Sequence, residues 1–264
     1  MTRNMTPVAL ITGASAGIGA ELARVFARHG HKLVLVARRE QRLNDLAAAI
    51  EATGRPKPLV LAADLAQPDA AKRIGEALAA RRLEPQFVVN NAGFGLVGRA
   101  ASLDRGEQLG MIDLNLRALA DLSLSFIDSL ERHRGGILNV ASVAGFLPGP
   151  GSAVYYASKA FVLSFSEALH DELAPRGIRV TCLCPGPVAT EFQARAGILE
   201  ATASWPLALS ADRVAGAGYR GLMRGQRVMI PGLANKLLAA LVPRFMPRRL
   251  LLARLDARQI KRGA

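Results

Sequence analysis

The sequence has few cysteines, few aromatic residues and no segment suited to crossing a membrane. Its two cysteines, Cys182 and Cys184, lie two positions apart in an apolar run, so a disulfide framework is excluded and a reducing compartment is favoured. Residues 135–158 carry no charge, but their prolines, glycines and polar side chains make a poor membrane span. The first apolar stretch, residues 7–11, is too short for a signal peptide. We therefore expect a cytoplasmic protein.

Repeats and metal-ligand spacings are also missing. No period of about 20 to 50 residues indicates a solenoid or propeller. The four histidines show no spacing typical of metal ligands, so we expect no metal. Half of the 264 residues are hydrophobic and 21% are charged, which excludes disorder as the dominant state and suits one large α/β core.

Acidic residues are scarce at the C-terminal end. Lysine and arginine exceed aspartate and glutamate by 13 over the chain, and residues 226–264 hold nine bases against the single acid Asp256. We expect residues 233–264 to form a leucine-rich helical extension broken by Pro243 and Pro247. Packing beside the lid or a subunit partner is the first interpretation, and peripheral attachment to an anionic membrane is the second. Nucleic acid is not expected, because no recognition motif accompanies the charge.

Short apolar runs rich in β-branched residues alternate with helical patterns along the chain. Strands are predicted at residues 8–12, 32–37, 59–63, 87–90, 137–141, 178–183 and 227–230. Helices are predicted at residues 16–29, 40–53, 68–82, 103–132, 153–174 and 211–224. Apolar strands separated by helices are typical of a parallel sheet covered on both faces. We predict a three-layer, doubly wound α/β Rossmann fold over residues 1–232, with a mostly parallel sheet of about seven strands and a ligand beyond their carboxyl ends.

A glycine-rich turn follows the first predicted strand and opens the first predicted helix. Residues 12–19 read Thr-Gly-Ala-Ser-Ala-Gly-Ile-Gly. Glycines there permit a tight turn and let backbone N–H groups approach a pyrophosphate at the positive end of the helix. The same residues contain Gly13-x-Ser15-x-Gly17, which is also typical of the nucleophile elbow of a serine hydrolase. That elbow normally follows several strands, whereas this turn follows the first, so a dinucleotide site is favoured.

Two arginines, Arg38 and Arg39, end the second predicted strand. Proteins that bind NAD usually carry an acid there, which bonds the ribose 2′-hydroxyl. A guanidinium can instead pair with a 2′-phosphate, and a charge-assisted hydrogen bond would favour NADPH over NADH by roughly 10- to 100-fold. The alternative is a solvated pair of arginines before a helix.

A tyrosine and a lysine, Tyr155 and Lys159, lie four residues apart at the start of a predicted helix and therefore share a face. Lowering the pKa of a phenol by about three needs about 4 kcal/mol. One ammonium about 4 Å away supplies an interaction of that order at an effective dielectric of about 20. The pair could therefore work as a proton donor or acceptor near neutral pH. Tyr156 is also within one turn of Lys159, so this spacing alone leaves the choice of tyrosine open.

Together with Asn90-Asn91-Ala92-Gly93 and Pro185-Gly186, these motifs make the chain resemble the short-chain dehydrogenase/reductase family, in the subgroup with Tyr-x-x-x-Lys. The resemblance runs over residues 7–230. It implies an enzyme: an NAD(P)-dependent oxidoreductase that reduces a carbonyl or oxidises a secondary alcohol. The charges of Arg38 and Arg39 predict that NADP(H) is preferred. There are two alternatives. One is a non-catalytic sensor or scaffold that binds NADP(H), and the other is a serine hydrolase that uses Ser15.

The resemblance also implies a role for each catalytic residue. Tyr155 would protonate the substrate oxygen, and Lys159 would hold the nicotinamide ribose and lower the pKa of the tyrosine. Ser142, thirteen residues before Tyr155, would orient the carbonyl, and this spacing selects Tyr155 over Tyr156. Asn115 would hold a water of the proton relay, or it would simply bond backbone within its helix.

Further residues would contact the cofactor. By resemblance, Asp64 lies near the adenine, and Val188 and Thr190 lie on the nicotinamide side, although Asp64 and Thr190 could instead cap helices. The remaining cofactor contacts implied by the family are Gly13, Ser15, Gly17, Ile18, Gly19, Arg38, Asn91, Ala92, Gly93, Pro185 and Gly186.

A lid is expected at residues 191–209, between the Pro-Gly element and the next helix. Its apolar side chains are Phe192, Ile198, Leu199, Trp205 and Leu207. Together with Phe94, Phe146 and Leu147, they predict an apolar pocket for a ketone, aldehyde or secondary alcohol. Family members commonly pair through the helices that correspond to residues 103–132 and 153–174, so a homodimer or homotetramer is expected.

Overall fold

A parallel sheet of seven strands forms the centre of the protein. The computed structural model describes residues 5–198 and 207–263. Its strands lie in the order β3-β2-β1-β4-β5-β6-β7, and every neighbouring pair is parallel. They are β1 Thr6–Thr12, β2 Leu33–Ala37, β3 Leu59–Ala62, β4 Leu83–Asn90, β5 Gly136–Val140, β6 Arg179–Leu183 and β7 Val228–Met229.

Helices cover both faces of the sheet. They are α1 Gly17–Arg28, α2 Glu40–Glu51, α3 Ala70–Ala79, α4 Arg105–Ile112, α5 Leu119–Ser125, α6 Ile127–Arg132, α7 Ala153–Leu173, α8 Phe192–Arg195, α9 Ala211–Met223, α10 Leu233–Phe245 and α11 Arg248–Gly263. A π-helical turn, Asp113–Ala118, joins α4 to α5, and short 3₁₀ turns lie at Val143–Phe146 and Ala174–Arg176. The three-layer, doubly wound fold is confirmed.

Large apolar cores lie on both faces of the sheet because the central strands are hydrophobic on both sides, and a smaller third core contains Ala141 and Val162. Ala9 and Ile11 of β1 face α1, α2 and α9, where Phe26 is among the largest fully buried side chains. Val8 and Leu10 face α3, α5 and α7. Alternate residues of one strand therefore enter opposite cores, as the pleat of a strand requires.

The strand order reverses between β1 and β4, and this places the ligand-binding edge. Crossovers run outward from β1 to β2 and β3 on one side, and from β4 to β7 on the other. A crevice opens where neighbouring crossovers diverge, beyond the carboxyl ends of the strands. Thr12, Asn90 and Val140 end the three strands nearest this point.

Three boundaries differ from the prediction for physical reasons. β4 begins at Leu83 instead of residue 87, because the sheet accommodates Pro85 at a register shift between Val8 and Ala9. The long helix predicted at 103–132 is divided by the π-helical turn and by a break at Phe126. Pro243 does not break α10, contrary to expectation: it lies in the last turn, so only one backbone bond near the helix end is lost. Among the described residues, no helix is long and apolar enough to span a bilayer.

Candidate active site

A cleft of about 800 Å³ opens at the predicted edge of the sheet. Every site residue predicted from the sequence lines it except Gly19 and Asn115. The predicted residues that line it are Gly13, Ser15, Gly17, Ile18, Arg38, Asp64, Asn91, Ala92, Gly93, Ser142, Tyr155, Lys159, Pro185, Gly186, Val188 and Thr190.

The glycine turn is pressed against the end of β4. Gly13 has a left-handed backbone with φ of 63°, and a Cβ there would lie 2.7 Å from the Asn91 Nδ2 and 2.8 Å from the Ala92 Cα. A Cβ on Gly19 would collide with the Gly13 carbonyl oxygen. Because side chains are excluded here, the backbone at the start of α1 is left bare toward the cleft. Bare N–H groups at a helix N-terminus suit a phosphate, so the turn fits a dinucleotide.

Thr12 fastens this turn to the neighbouring strand. Its Oγ1 accepts hydrogen bonds from the backbone N–H groups of Asn91 (3.0 Å) and Ala92 (3.1 Å) and donates one to the Val89 carbonyl. The Asn91 Nδ2 returns a bond to the Thr12 carbonyl at 3.0 Å. The two segments that the sequence assigned to the cofactor are therefore one rigid unit.

Arg39 bridges the glycine turn to the segment after β6. Its guanidinium donates to the Ser15 Oγ at 3.0 Å and to the Glu191 carboxylate at 2.7 Å. Arg42 also pairs with Glu191, and these hydrogen bonds hold the pKa of the Glu191 carboxyl below its usual range. Arg38 lines the same part of the cleft and is exposed. Arg38 was predicted to bind the 2′-phosphate, whereas the contact of Arg39 with Glu191 could not be predicted from local sequence.

Ser15 does not lie in a hydrolase arrangement. Its hydroxyl is bonded to Arg39, and no histidine is among the described residues that line the cleft. The histidine that a serine nucleophile needs is therefore not among the described residues that line the cleft with it.

Lys159 is buried beneath the cleft, with 6% of its surface exposed. Its Nζ donates to the Val140 carbonyl at 2.9 Å and lies 5.9 Å from the centre of the Tyr155 ring. Burial lowers the pKa of the Lys159 ammonium from 10.5 to about 8. The group is therefore mainly charged at neutral pH and faces the same space as the tyrosine.

Tyr155 and Tyr156 both line the cleft but rest on different surfaces. The Tyr155 ring lies 5.5 Å from the Phe192 ring and against Gly95. The Tyr156 ring is packed closely over Gly149. Ser142 starts the 3₁₀ turn after β5, where its Oγ accepts from the Ala144 N–H at 3.1 Å and contacts the Pro185 carbonyl at 3.4 Å.

Asn115 lies in the π-helical turn, outside the cleft lining. Its side chain accepts from the Phe94 N–H at 3.1 Å, donates to the Phe94 carbonyl at 2.9 Å and donates to the Ser158 Oγ at 3.1 Å. The side chain thus bonds backbone, as the alternative interpretation held, although the backbone belongs to the loop after β4. Asn115 thereby fixes the loop that carries Gly93 and Phe94 along the cleft.

Asp64 and Thr190, the two residues with a helix cap as the alternative role, differ in the structure. Asp64 accepts a bond from the Ala66 N–H at 3.1 Å and does not cap α3, which begins at Ala70. The Thr190 Oγ1 does accept from the Phe192 N–H, at 3.4 Å, beside the first turn of α8. Both residues also line the cleft.

The C-terminal helices form a wall of the cleft together with the lid residues Ile198 and Leu207. Packing beside the lid was the first interpretation of this segment, but its contribution to the cleft wall was not predicted. Asn235 is buried at the start of α10 and donates to the carbonyls of Leu207 and Pro231 at 3.2 Å each. It packs directly on Gly186, where a Cβ would leave no room for it. The regular spacing of leucines was the available signal. The lining residues from these helices are Leu238, Ala239, Val242, Leu251 and Leu255.

Only some of the residues predicted for an apolar pocket line the cleft. Leu147, Phe192, Ile198 and Leu207 line the cleft, and Leu199 and Trp205 lie outside the described residues. Phe94 also lines it, with the Arg195 guanidinium 4.7 Å from its ring centre. Phe146 does not: it packs against the core formed by Ala141 and Val162, so its assignment to the pocket was wrong.

Comparisons with known proteins agree with this arrangement. A family model described as short chain dehydrogenase matches residues 7–198. Sulfoacetaldehyde reductase 2 of Chromohalobacter salexigens is 38% identical over 191 residues, which cover 71% of this chain and 75% of that protein.

Two solved structures resemble the chain over most of its length. A short-chain dehydrogenase from Sphingobium yanoikuyae in complex with NADPH is 38% identical, with a TM-score of 0.78 over 86% of this chain and 88% of the other. A bulky-bulky ketone specific alcohol dehydrogenase from Comamonas testosteroni is 30% identical, with a TM-score of 0.74 over 94% and 100%.

Proposed function

Because the chain belongs to the short-chain dehydrogenase/reductase family, and is therefore an oxidoreductase that uses a nicotinamide dinucleotide, we propose that it reduces the carbonyl group of an apolar small molecule with NADPH. The reverse reaction would oxidise the corresponding secondary alcohol. One observation carries the proposal: Tyr155, Ser142 and Lys159 line a single cleft with the bare glycine turn.

The residues that would hold the cofactor are those of the glycine turn and its neighbours. The turn formed by Gly13, Ser15, Gly17, Ile18 and Gly19 would take the pyrophosphate. Asp64 and the segment Asn91-Ala92-Gly93 would lie beside the adenosine, and Pro185, Gly186, Val188 and Thr190 beside the nicotinamide. The bound dinucleotide would supply the hydride.

Proton transfer would fall to Tyr155. Its hydroxyl would give a proton to the carbonyl oxygen, and the Ser142 hydroxyl would donate a hydrogen bond to the same oxygen. The buried Lys159 ammonium would stabilise the phenolate that forms and bond the nicotinamide ribose. Asn115 would act through the loop it fixes and hold a water of the relay.

A preference for NADPH is supported by the charges at the adenosine end of the cleft. Arg38 and Arg39 both line this region. They occupy the end of β2, the position where proteins that bind NAD usually have an acidic residue. Arg39 already binds one anion there, the Glu191 carboxylate. A 2′-phosphate would take the same kind of charge-assisted hydrogen bond.

The cleft wall supports an apolar substrate. The sulfoacetaldehyde named for one relative is small and anionic, whereas the Comamonas testosteroni enzyme is named for bulky ketones. An anionic substrate needs a cation free to receive it. Arg195, the arginine on the α8 side of the cleft, is paired with Glu107 at 2.9 Å. Leucines and Phe192 surround the space beside Tyr155, which favours a bulky apolar ketone.

Assembly and location belong to the same proposal. Exposed apolar side chains on α4, α5 and α7 support a homodimer or homotetramer formed through these helices. They are Leu109, Ile112, Leu124 and Phe161. Two free cysteines support a cytoplasmic location. The C-terminal helices would additionally make peripheral contact with a membrane.

Replacing one tyrosine at a time tests the proposal. A panel of ketones is offered with NADPH, and consumption is followed at the absorbance of the reduced nicotinamide. Tyr155→Phe should lower kcat by about 100- to 10,000-fold, because the acid is lost while NADPH still binds. Tyr156→Phe, the matched control, should keep most of the activity.

Two results would overturn it. Loss of turnover in Tyr156→Phe with activity retained in Tyr155→Phe would reassign the acid. NADPH binding without turnover of any carbonyl or alcohol would favour the sensor or scaffold.

A further inference from the structure

Helix α10 carries apolar side chains on two sides that meet different surroundings. Ala239 and Val242 line the cleft, and Ala239 is buried. A second set, spaced four residues apart, forms an outward stripe in which each side chain is about half exposed or more. The stripe consists of Leu233 at 74%, Leu237 at 50%, Leu241 at 48% and Phe245 at 73%.

Exposed basic side chains accompany this stripe on the two C-terminal helices. Lys236 and Arg244 lie on α10 itself, and Arg248, Arg249 and Arg254 lie on α11; all five are exposed. Within the described part of the chain none of them forms an ion pair, whereas arginines elsewhere commonly do, as Arg176 and Arg227 show. The sequence has no acid from residue 213 to residue 255, and Asp256 is occupied by Arg99 at 2.6 Å.

We propose that this outer surface, the stripe of α10 together with the five bases, binds the face of an anionic lipid bilayer. Leucine and phenylalanine side chains would enter the boundary between headgroups and acyl chains, and the bases would lie among anionic headgroups. A bilayer of this kind would therefore contact both the apolar stripe and the bases. The helices would lie on the membrane and would not span it.

Charge argues against a second copy of the chain as the occupant. A symmetric contact through the same surface would bring five unpaired bases of one copy toward five of the other, with no acid between them. A separate exposed apolar face exists on α4, α5 and α7 for assembly. Nucleic acid would pair with the bases but leave the apolar stripe in water.

The position of α10 gives the surface a role in substrate supply; this step rests on the proposed function. One side of α10 would face the bilayer while Ala239 and Val242 face the cleft. An apolar ketone dissolved in the membrane would therefore need to pass only one helix to reach Tyr155. We infer that the natural substrate is a membrane-soluble carbonyl compound.

Vesicle sedimentation of the full-length chain tests the surface without cofactor or substrate. The probes are vesicles of phosphatidylcholine alone and of equal parts phosphatidylcholine and phosphatidylglycerol. We expect sedimentation only with the anionic vesicles. Arg248→Gln/Arg249→Gln should weaken binding by about fivefold for each base removed, and Leu237→Gln/Leu241→Gln should weaken it by a similar total.

A matched control removes the same basic groups elsewhere on the surface. Arg28→Gln/Arg55→Gln removes two exposed bases and should not change sedimentation. Equal losses in test and control pairs, or no sedimentation of the wild type, would overturn the proposal. The proposal would also be overturned if sedimentation velocity showed a dimer that is dissociated by Leu237→Gln/Leu241→Gln and by no other variant. Vesicle binding by a chain that reduces no carbonyl would support this surface and contradict the enzymatic proposal alone.

Discussion

Lys159 shows how a functional charge opposes stability at the scale of one residue. Its ammonium is buried and bonds the neutral Val140 carbonyl oxygen, so burial disfavours the charged form. The pKa in the folded state, about 8, is below the ordinary value of 10.5. Below pH 8 both states carry the proton and the folded chain bears the full penalty, about 3 kcal/mol. This penalty disappears as the pH rises from 8 toward 10.5.

Lys159→Met should therefore stabilise the chain while abolishing turnover. The gain at pH 7 should be about 1 to 2 kcal/mol, since about 1 kcal/mol is lost with the bond to Val140. The gain should shrink as the pH rises above 8, as measured by urea unfolding at several pH values. Lys72→Met, at an exposed position, should show neither effect. A gain independent of pH would show that desolvation of the ammonium is not the cause.

The arginines at the end of β2 should decide between NADPH and NADH. Arg38→Ala and Arg39→Ala are each expected to reduce the NADPH preference, by about 10- to 100-fold in the double variant. Glu191→Gln should raise NADPH affinity severalfold, because it removes an anion from the side chain that would receive the 2′-phosphate. Dissociation constants from nucleotide fluorescence provide the measurement, with Arg28→Ala as the control. Equal use of both nucleotides by the wild type would contradict the assignment.

Local spacing explains what could be predicted about the site residues. Tyr155 and Lys159 share a helix face, and Gly13 to Gly19 form one turn, so sequence alone places them. Glu191 could not be found in this way: it meets Arg39 across 152 positions of the chain. The same holds for Asn115, whose bonds to Phe94 depend on where a π-helical turn meets the loop after β4.

At the scale of elements, a buried polar network joins the sheet to α5 and α7. The Asn90 Nδ2 donates to the Ser123 Oγ and to the Asn139 Oδ1, at 2.9 Å each. The Asn139 Nδ2 continues to the Ser166 Oγ at 2.9 Å. The four side chains are buried, so each bond lies in a low dielectric and fixes the helices against β4 and β5, the strands that precede Gly93 and Ser142.

Asn139→Ala should destabilise the fold by about 2 kcal/mol, because it removes two buried hydrogen bonds, one from the Asn90 amide and one to the Ser166 hydroxyl. Thermal unfolding followed by circular dichroism measures the effect. Below the unfolding transition, KM for NADPH should stay near the wild-type value. Asn44→Ala, on the exposed side of α2, should change little. An unchanged melting temperature would show that the network contributes nothing measurable.

Periodicity located most elements but not their interruptions. The apolar strands and amphipathic helices were confirmed to within a few residues because each follows from local pattern. The π-helical turn, the register shift at Pro85 and the continuation of α10 through Pro243 depend on neighbours that a local pattern does not contain.

For the whole molecule, the C-terminal helices turn an open crevice into a walled cleft. The order of strands and crossovers follows from the alternation of elements, so the doubly wound fold was predictable. That residues 233–257 return to cover the cleft was not, because the docking of Asn235 on Gly186 joins distant segments. Charge and leucine content indicated only that this segment has a surface to bury.

Val242→Asp should raise KM for an apolar ketone by about tenfold or more, because it places a charge on the wall that would contact the substrate. The dissociation constant for NADPH should not change. Leu241→Asp is the matched control, because Leu241 is adjacent to Val242 in the chain but belongs to the outward stripe and is 48% exposed. Steady-state kinetics without membranes measure both. An equal rise in KM for the two variants would contradict the assignment of this wall.

The central claim is that the phosphates lie on the glycine turn while the tyrosine and lysine of α7 face the nicotinamide. A crystal structure of the protein grown with NADP⁺ tests it most directly. We expect the pyrophosphate beside Gly17 and Ile18, the 2′-phosphate at Arg38 or Arg39, and the Tyr155 hydroxyl and Lys159 Nζ at the nicotinamide ribose. A dinucleotide bound elsewhere, or a Tyr155 side chain turned away from the ring, would contradict the account.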